Sequence, residues 1–317
     1  MCIYSMGKRL INRIRFVYHR ARNIWPIWYY LLNRESRKVW QGAKVRSTLS
    51  SLQERIAGQL AANGIALTSL TELIPENSHL FKQLLAETEA RKKNRPPVIG
   101  SSMNQGPKQK GFDKDFMAYF WGGGGTTPVL EIESAFIQFV LDERVLGIGG
   151  AYFGVAPRLH GFSLQSTIVV PPGTTPYLSQ RWHRDPDDKK IMKVFIYLSD
   201  VHDEGAGPFM YVRGSQLGGR WRNLFPQRPP VGRYPDPGAV EKMVPVEDRM
   251  ICLGKAGTVI FCDTSGLHRG GYSTNKTRTM FASGFATAAS IQPRNYRLNP
   301  MENLTDMAPL TRYALSL

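Results

Sequence analysis

The chain has 317 residues, with 41 Lys and Arg against 25 Asp and Glu, for a formal net charge of +16. A hydrophobic share of 42% and an aromatic share of 11% can fill a sizeable core, which excludes wholesale disorder. Three cysteines cannot build a disulfide framework, so a reducing, cytoplasmic setting is expected, and no apolar run is long enough for a transmembrane helix.

The charge is uneven. Residues 1–50 hold eleven Lys and Arg and a single acid, Glu35. Leu10, Ile14, Val17, Tyr18, Ala21 and Trp25 recur at helical spacing, with Arg9, Arg13 and Arg20 on one side and Arg15 and Arg22 on the other. An aromatic patch, 24–32, follows and is too short to span a bilayer. Apolar stripe, basic flanks and Trp and Tyr together predict a peripheral membrane contact through residues 8–32. Two other readings compete: a helix packed on its own domain, or an Arg-rich mitochondrial import segment. Nucleic acid is not expected, because phosphate contacts need no apolar stripe. Residues 1–46 are therefore set apart as a basic amphipathic segment from a domain spanning 47–317.

Beyond residue 46 the spacing predicts a helix over 47–60 stopped by Gly64, a short edge strand at 65–68, and a second helix from Ser78. Residues 94–128, rich in Pro and Gly, read as a long loop over a site. A third helix is predicted from about Val129 to Leu146, ended by Gly147. From residue 150 the period changes to that of strands: 163–170, 192–199, 209–212, 257–262 and 279–285 are short, β-branched or aromatic, and bounded by Gly, Pro or Asp. Residues 217–256 interrupt them with a Pro-, Gly- and Arg-rich insertion. Helices followed by strands imply an α+β fold with a jelly-roll core over about 150–290 and flanking N-terminal helices.

Two of the six histidines sit where a metal would want them. In Gln180-Arg-Trp-His-Arg-Asp185, His183 and Asp185 are two apart, so on a strand both point to one face. His268 follows the strand at 257–262. A His-x-Asp pair with one distant His is the pattern of the two-His, one-carboxylate triad of non-haem Fe(II) oxygenases. Ten residues after His268, Arg278 starts the next strand, where a guanidinium can clamp a dicarboxylate. Gln180 and Tyr197 can reach a cofactor by strand alternation. Cys262 alternates with Ile260 as a core residue, and His202 reads as a solvated turn residue.

The stretches 181–216 and 257–278 resemble the phytanoyl-CoA dioxygenase family, over roughly 160–290 well and 50–150 loosely. The resemblance implies a double-stranded β-helix (cupin-like) that uses Fe(II), 2-oxoglutarate and O2. It implies His183, Asp185 and His268 as iron ligands and Arg278 as the partner of the distal 2-oxoglutarate carboxylate. The expected activity is hydroxylation of a C–H bond in a small molecule, with release of succinate and CO2. Asp185 keeps the carboxylate position that a halogenase vacates for halide. The family often has His where this chain has Gln216, which makes the substrate rim less transferable. Arg181, Arg184, Arg269 and the arginines of the insertion predict a basic mouth for an anionic or lipid-linked substrate, though Arg184, between two inward ligands, is expected to point outward. The rival from another class is a non-catalytic jelly-roll scaffold held at a membrane or nucleic acid by its basic arm.

Overall fold

In the computed structural model the described residues are 13–14, 16–46, 48–94, 96–99, 116–227, 234–299 and 304–315. Leu10 of the predicted stripe, its flanking Arg9 and Arg15, about half of the 94–128 loop, and Arg228 and Arg233 lie outside them. A six-residue π-helical segment, Ile27–Leu32, leads into α1 (Arg34–Arg46). α2 (Ser51–Asn63) follows, then α3 (Leu70–Leu73) and α4 (Leu80–Asn94). Later come α5 (Ala135–Leu141), α6 (Glu143–Phe153), α7 (Ala239–Met243) and α8 (Pro309–Leu315). The strands are β1 (Ile65–Ser69), β2 (Val98–Ile99), β3 (Met117–Trp121), β4 (Val129–Leu130), β5 (Arg158–Thr167) and β6 (Met192–Tyr197). They continue with β7 (Phe209–Val212), β8 (Arg249–Cys252), β9 (Thr258–Asp263), β10 (His268–Gly270), β11 (Thr279–Ala286) and β12 (Arg297–Leu298).

A seven-stranded antiparallel sheet runs β1-β9-β6-β11-β5-β3-β2 and faces a three-stranded one ordered β10-β7-β8. β4 and β12 form a small parallel pair. This is the expected double-stranded β-helix with helices on its outer face. Strand alternation sorts the two cores. Val194, Ile196, Val259, Phe261, Phe281 and Phe285 turn outward to meet Phe136, Phe139 and Leu146 of α5 and α6 and Ile56 and Leu60 of α2. Phe195, Tyr197, Ile260, Cys262 and Met280 turn inward, opposite Phe209, Tyr211 and Cys252.

α2 begins where a capping box allows it. Ser50 Oγ accepts from Gln53 N at 3.3 Å, and Gln53 Oε1 accepts from Ser50 N at 2.9 Å. Gly64, at φ +77°, ends it as predicted. The third predicted helix needs correction. Residues 129–130 are strand, and the helical stretch is split by Asp142, whose carboxylate accepts from Arg144 N at 2.9 Å and caps a new helix. Gly147 does not end that helix; Gly154, at φ +76°, does. The glycines at 147 and 150 are there for close approach instead: a Cβ would stand 2.5 Å from Gln53 Nε2 at the first and 2.3 Å from the Trp40 ring at the second. The 94–128 loop contains β3, a buried strand of the large sheet, and the 217–256 insertion contains α7 and β8.

The N-terminal segment is anchored to the rest of the fold at several points. Trp28 is fully buried, its Nε1 donating to Asp188 Oδ1 at 2.8 Å, and Trp40 joins the helical core. Ser36 Oγ bonds Tyr313 Oη of α8. No described helix is long and apolar enough to cross a membrane.

Candidate metal centre

His183 pairs with His268 of β10 in an antiparallel bridge at the edge of the three-stranded sheet. Each backbone N–H donates to the other's carbonyl at 3.0 Å, and Asp185 N donates to Thr264 O at 2.8 Å, so backbone bonds set the spacing of all three residues. One ligand atom from each of His183, Asp185 and His268 falls within 4.8 Å of the others, and theirs is the one cluster of this kind among the described residues. Both Nε2 atoms stand 3.8 Å from the Asp185 carboxylate, and the imidazole centroids are 4.1 Å apart.

The other ring nitrogens are committed elsewhere. Nδ1 of His183 donates to Arg181 O at 2.8 Å and Nδ1 of His268 to Gly266 O at 3.0 Å, which leaves both Nε2 lone pairs turned to Asp185. Burial lowers the pKa of His183, and that of His268 well below the ordinary value, so both rings are neutral near pH 7. Burial alone would raise the pKa of Asp185. The Lys193 ammonium overrides it and holds the carboxylate ionised. Two neutral imidazoles and one carboxylate are the donor set of a divalent transition metal.

Lys193 was missed in the sequence. Its Nζ lies 2.6 Å from Asp185 Oδ2, with a third of its side chain (33%) exposed. It belongs to the inward row of β6, two residues before Phe195 and four before Tyr197, so the alternation used for Tyr197 could have found it. Gly284 of β11 pairs directly with Lys193, and a Cβ there would lie 3.9 Å from the Lys193 stem, an ordinary contact. His160, on β5 within electrostatic range of Lys193 and Asp185, is pushed down to about 4 by burial and then by Lys193. Asp187 is pushed up to about 7 by burial and then by the charge on Asp185.

Arg278 faces inward and is 2% exposed, beside Tyr197 and Cys252. Its backbone N–H donates to Thr167 Oγ1 at 2.8 Å and one terminal nitrogen donates to Gly207 O, while Nε finds no partner. No carboxylate among the described residues pairs with it. A buried guanidinium with an unused donor and no counter-ion fits an anionic cosubstrate. Tyr197 does not offer its hydroxyl freely: Oη donates to Cys252 O at 2.9 Å and accepts from Phe209 N at 3.2 Å, so it buttresses Arg278. Gln180 is buried but turns back on its own 3-10 turn, its Oε1 accepting from Tyr177 N at 3.3 Å. Gln216 donates to Ala61 O at 2.9 Å at the end of α2, a structural contact.

The predicted basic mouth is largely spent on the fold. Arg184 points away from the ligands but does not reach solvent: it is 5% exposed and donates to the carbonyls of Ser215, Ser265, Trp221 and Leu224 at 2.6–3.1 Å. It ties the insertion to the His268 loop. Arg181 bonds Pro235 O and covers the Tyr234 ring, and Arg269 covers Trp182 near Glu241. Arg220 pairs with Asp248. Exposed Arg222 remains, beside a cleft of about 350 Å³ that borders Asp185 without reaching either imidazole. Cys262 is buried core and His202 is an exposed turn residue bonded to Asp200, as expected.

No protein-family model and no curated protein matches the sequence. Among solved structures the chain is similar to the epimerase SnoN in complex with Fe3+, alpha ketoglutarate and nogalamycin RO. The identity is 15% and the TM-score 0.53, over 77% of this chain and 87% of that one. EctD from S. alaskensis with bound Fe is 14% identical with a TM-score of 0.47, over 80% of this chain and 82% of that one. The likeness to SnoN is one of fold, and the chain shares the jelly-roll architecture of that 2-oxoglutarate-dependent enzyme.

Proposed function

We propose that this chain is an Fe(II)- and 2-oxoglutarate-dependent oxygenase that hydroxylates a C–H bond of a small molecule, of the phytanoyl-CoA dioxygenase type. One observation carries the reading: a His183–Asp185–His268 cluster within 4.8 Å, with both Nε2 lone pairs free, in a fold that also buries Arg278 without a counter-ion. SnoN, crystallised with iron, alpha ketoglutarate and nogalamycin RO, supports both the cofactor set and a small-molecule substrate. In this reading the three ligands hold iron, and Arg278 holds the distal carboxylate of 2-oxoglutarate. When bound, the metal and its cosubstrate supply oxygen activation: substrate C–H, 2-oxoglutarate and O2 become C–OH, succinate and CO2.

The protein's own groups set the conditions. The carbonyls of Arg181 and Gly266 hold the tautomers, so neither imidazole must lose a proton to ligate. Lys193 occupies Asp185 Oδ2 and keeps the carboxylate oriented. Phe195, Phe209 and Met280 make the interior between the two sheets apolar, and such surroundings strengthen the pairing of Arg278 with a carboxylate. Asp185 fills the position that halide would need, which favours hydroxylation over halogenation.

The test is succinate formation from 2-oxoglutarate with Fe(II) in the presence of metabolite extracts, read together with a mass gain of one oxygen. Both should disappear in His183→Ala. If wild-type protein neither binds 2-oxoglutarate with metal present nor consumes it with any extract, the reading fails.

A further inference from the structure

Apart from the metal centre, the described part of the N-terminal arm presents an apolar face that the fold leaves uncovered. Ile14, Val17, Tyr18, Ile24, Trp25 and Leu31 are 45–70% exposed. With Tyr30 they make seven of the fifteen large apolar residues exposed among the described residues, within eighteen positions of chain. The first three follow the i, i+3, i+4 spacing of one helix face.

The arm is held in one orientation by its opposite side. His19 is 4% exposed, Arg22 donates to Ala289 O, and Trp28 is locked to Asp188. Lys189 donates to Asn23 O. The outward direction of the apolar face is therefore a consequence of packing.

Charge selects the occupant. Residues 13–33 contain no Asp or Glu, while exposed Arg13 and Arg20 stand one turn before and one turn after Val17, and Arg34 follows Leu31 closely. Aliphatic side chains to enter the acyl boundary, Trp and Tyr rings for the headgroup level and cations for phosphate match an anionic bilayer surface. A second copy of this chain would bring the same positive charge and repel.

We propose that the face formed by Ile14, Val17, Tyr18, Trp25 and Leu31 docks the protein on an anionic lipid bilayer. Because Trp28 and Lys189 tie the arm to the loop that carries Asp185, the docked surface and the metal centre share one rigid attachment.

The experiment is sedimentation of the full chain with phosphatidylcholine vesicles, with and without phosphatidylserine, across a salt series. Binding should require phosphatidylserine and fall with salt. Arg13→Gln with Arg20→Gln should weaken it about 30-fold, at about 1 kcal/mol per basic residue. Val17→Ser with Leu31→Ser should weaken it at least ~10-fold. All four positions are exposed, so the thermal midpoint of either variant should stay that of the wild type. Equal sedimentation of variants and wild type, equal binding to neutral vesicles, or absence of vesicle binding would overturn the proposal. Self-association abolished by Val17→Ser, without vesicle binding, would assign the face to a second copy.

Discussion

Lys193→Met removes the ammonium 2.6 Å from Asp185 Oδ2 while keeping an aliphatic stem of similar length. Deleting one partner of a buried ion pair costs about 3–5 kcal/mol, because the remaining charge stays desolvated. A third of the Lys193 side chain is in solvent, so about 2–3 kcal/mol is expected here. At roughly 2 °C per kcal/mol for a chain of this size, the melting point of metal-free protein should drop by ~4–6 °C. A divalent ion brings positive charge to the same carboxylate, so the loss should shrink below ~1 kcal/mol in metal-loaded protein. Linkage then requires the variant to bind metal about tenfold more tightly. The pH dependence has a definite sign. A depressed Asp185 pKa stabilises the fold above the ordinary carboxylate range, and that contribution is lost as pH falls through the depressed value. In the variant the loss should begin at higher pH. Thermal denaturation with and without Co(II), plus Co(II) titration, measures all of this. Equal melting losses in both states would refute the argument that Lys193 and the metal share one carboxylate.

Metal affinity should change less than about threefold between pH 7.5 and 6, because burial already holds both imidazoles neutral; two ordinary histidines would lose roughly 15-fold over that interval. Co(II) titration at the two pH values decides it, and a loss of the larger size would mean that the rings are protonated in the metal-free fold. Gly150→Ala should destabilise the protein by about 1–3 kcal/mol in urea unfolding: helix propensity favours alanine by only ~1 kcal/mol, whereas the new Cβ falls 2.3 Å from the buried Trp40 ring. A neutral or stabilising result would show that Trp40 moves aside cheaply.

Much of the site is readable along single strands. Tyr197 follows from period-2 alternation, Arg278 from its place ten residues after His268 at the start of a strand, and the His-x-Asp pair from spacing alone. Lys193 lay on the same inward row and escaped because a lysine between apolar residues reads as solvated. Of the six strands that escaped, β3 hides in a Gly- and Pro-rich stretch, β8 sits inside the insertion, and β2, β4, β10 and β12 have only two or three residues each. Arg184 was misjudged because alternation says which way a side chain leaves its strand and nothing about whether a folded insertion waits there with four carbonyls.

Local chemistry settled what one segment can decide without its neighbours: the stop of α2 at Gly64, the outward and inward faces of β6 and β9, and the ligand types themselves. The tertiary structure decided everything that depends on meeting a distant partner. The reciprocal backbone bonds between His183 and His268 bring the ligands together across 85 positions, Asp188 receives Trp28, and Trp40 turns Gly150 from a helix breaker into a packing necessity. Hydrogen bonds and van der Waals contacts act over a few ångströms of space, and separation along the chain does not report that distance.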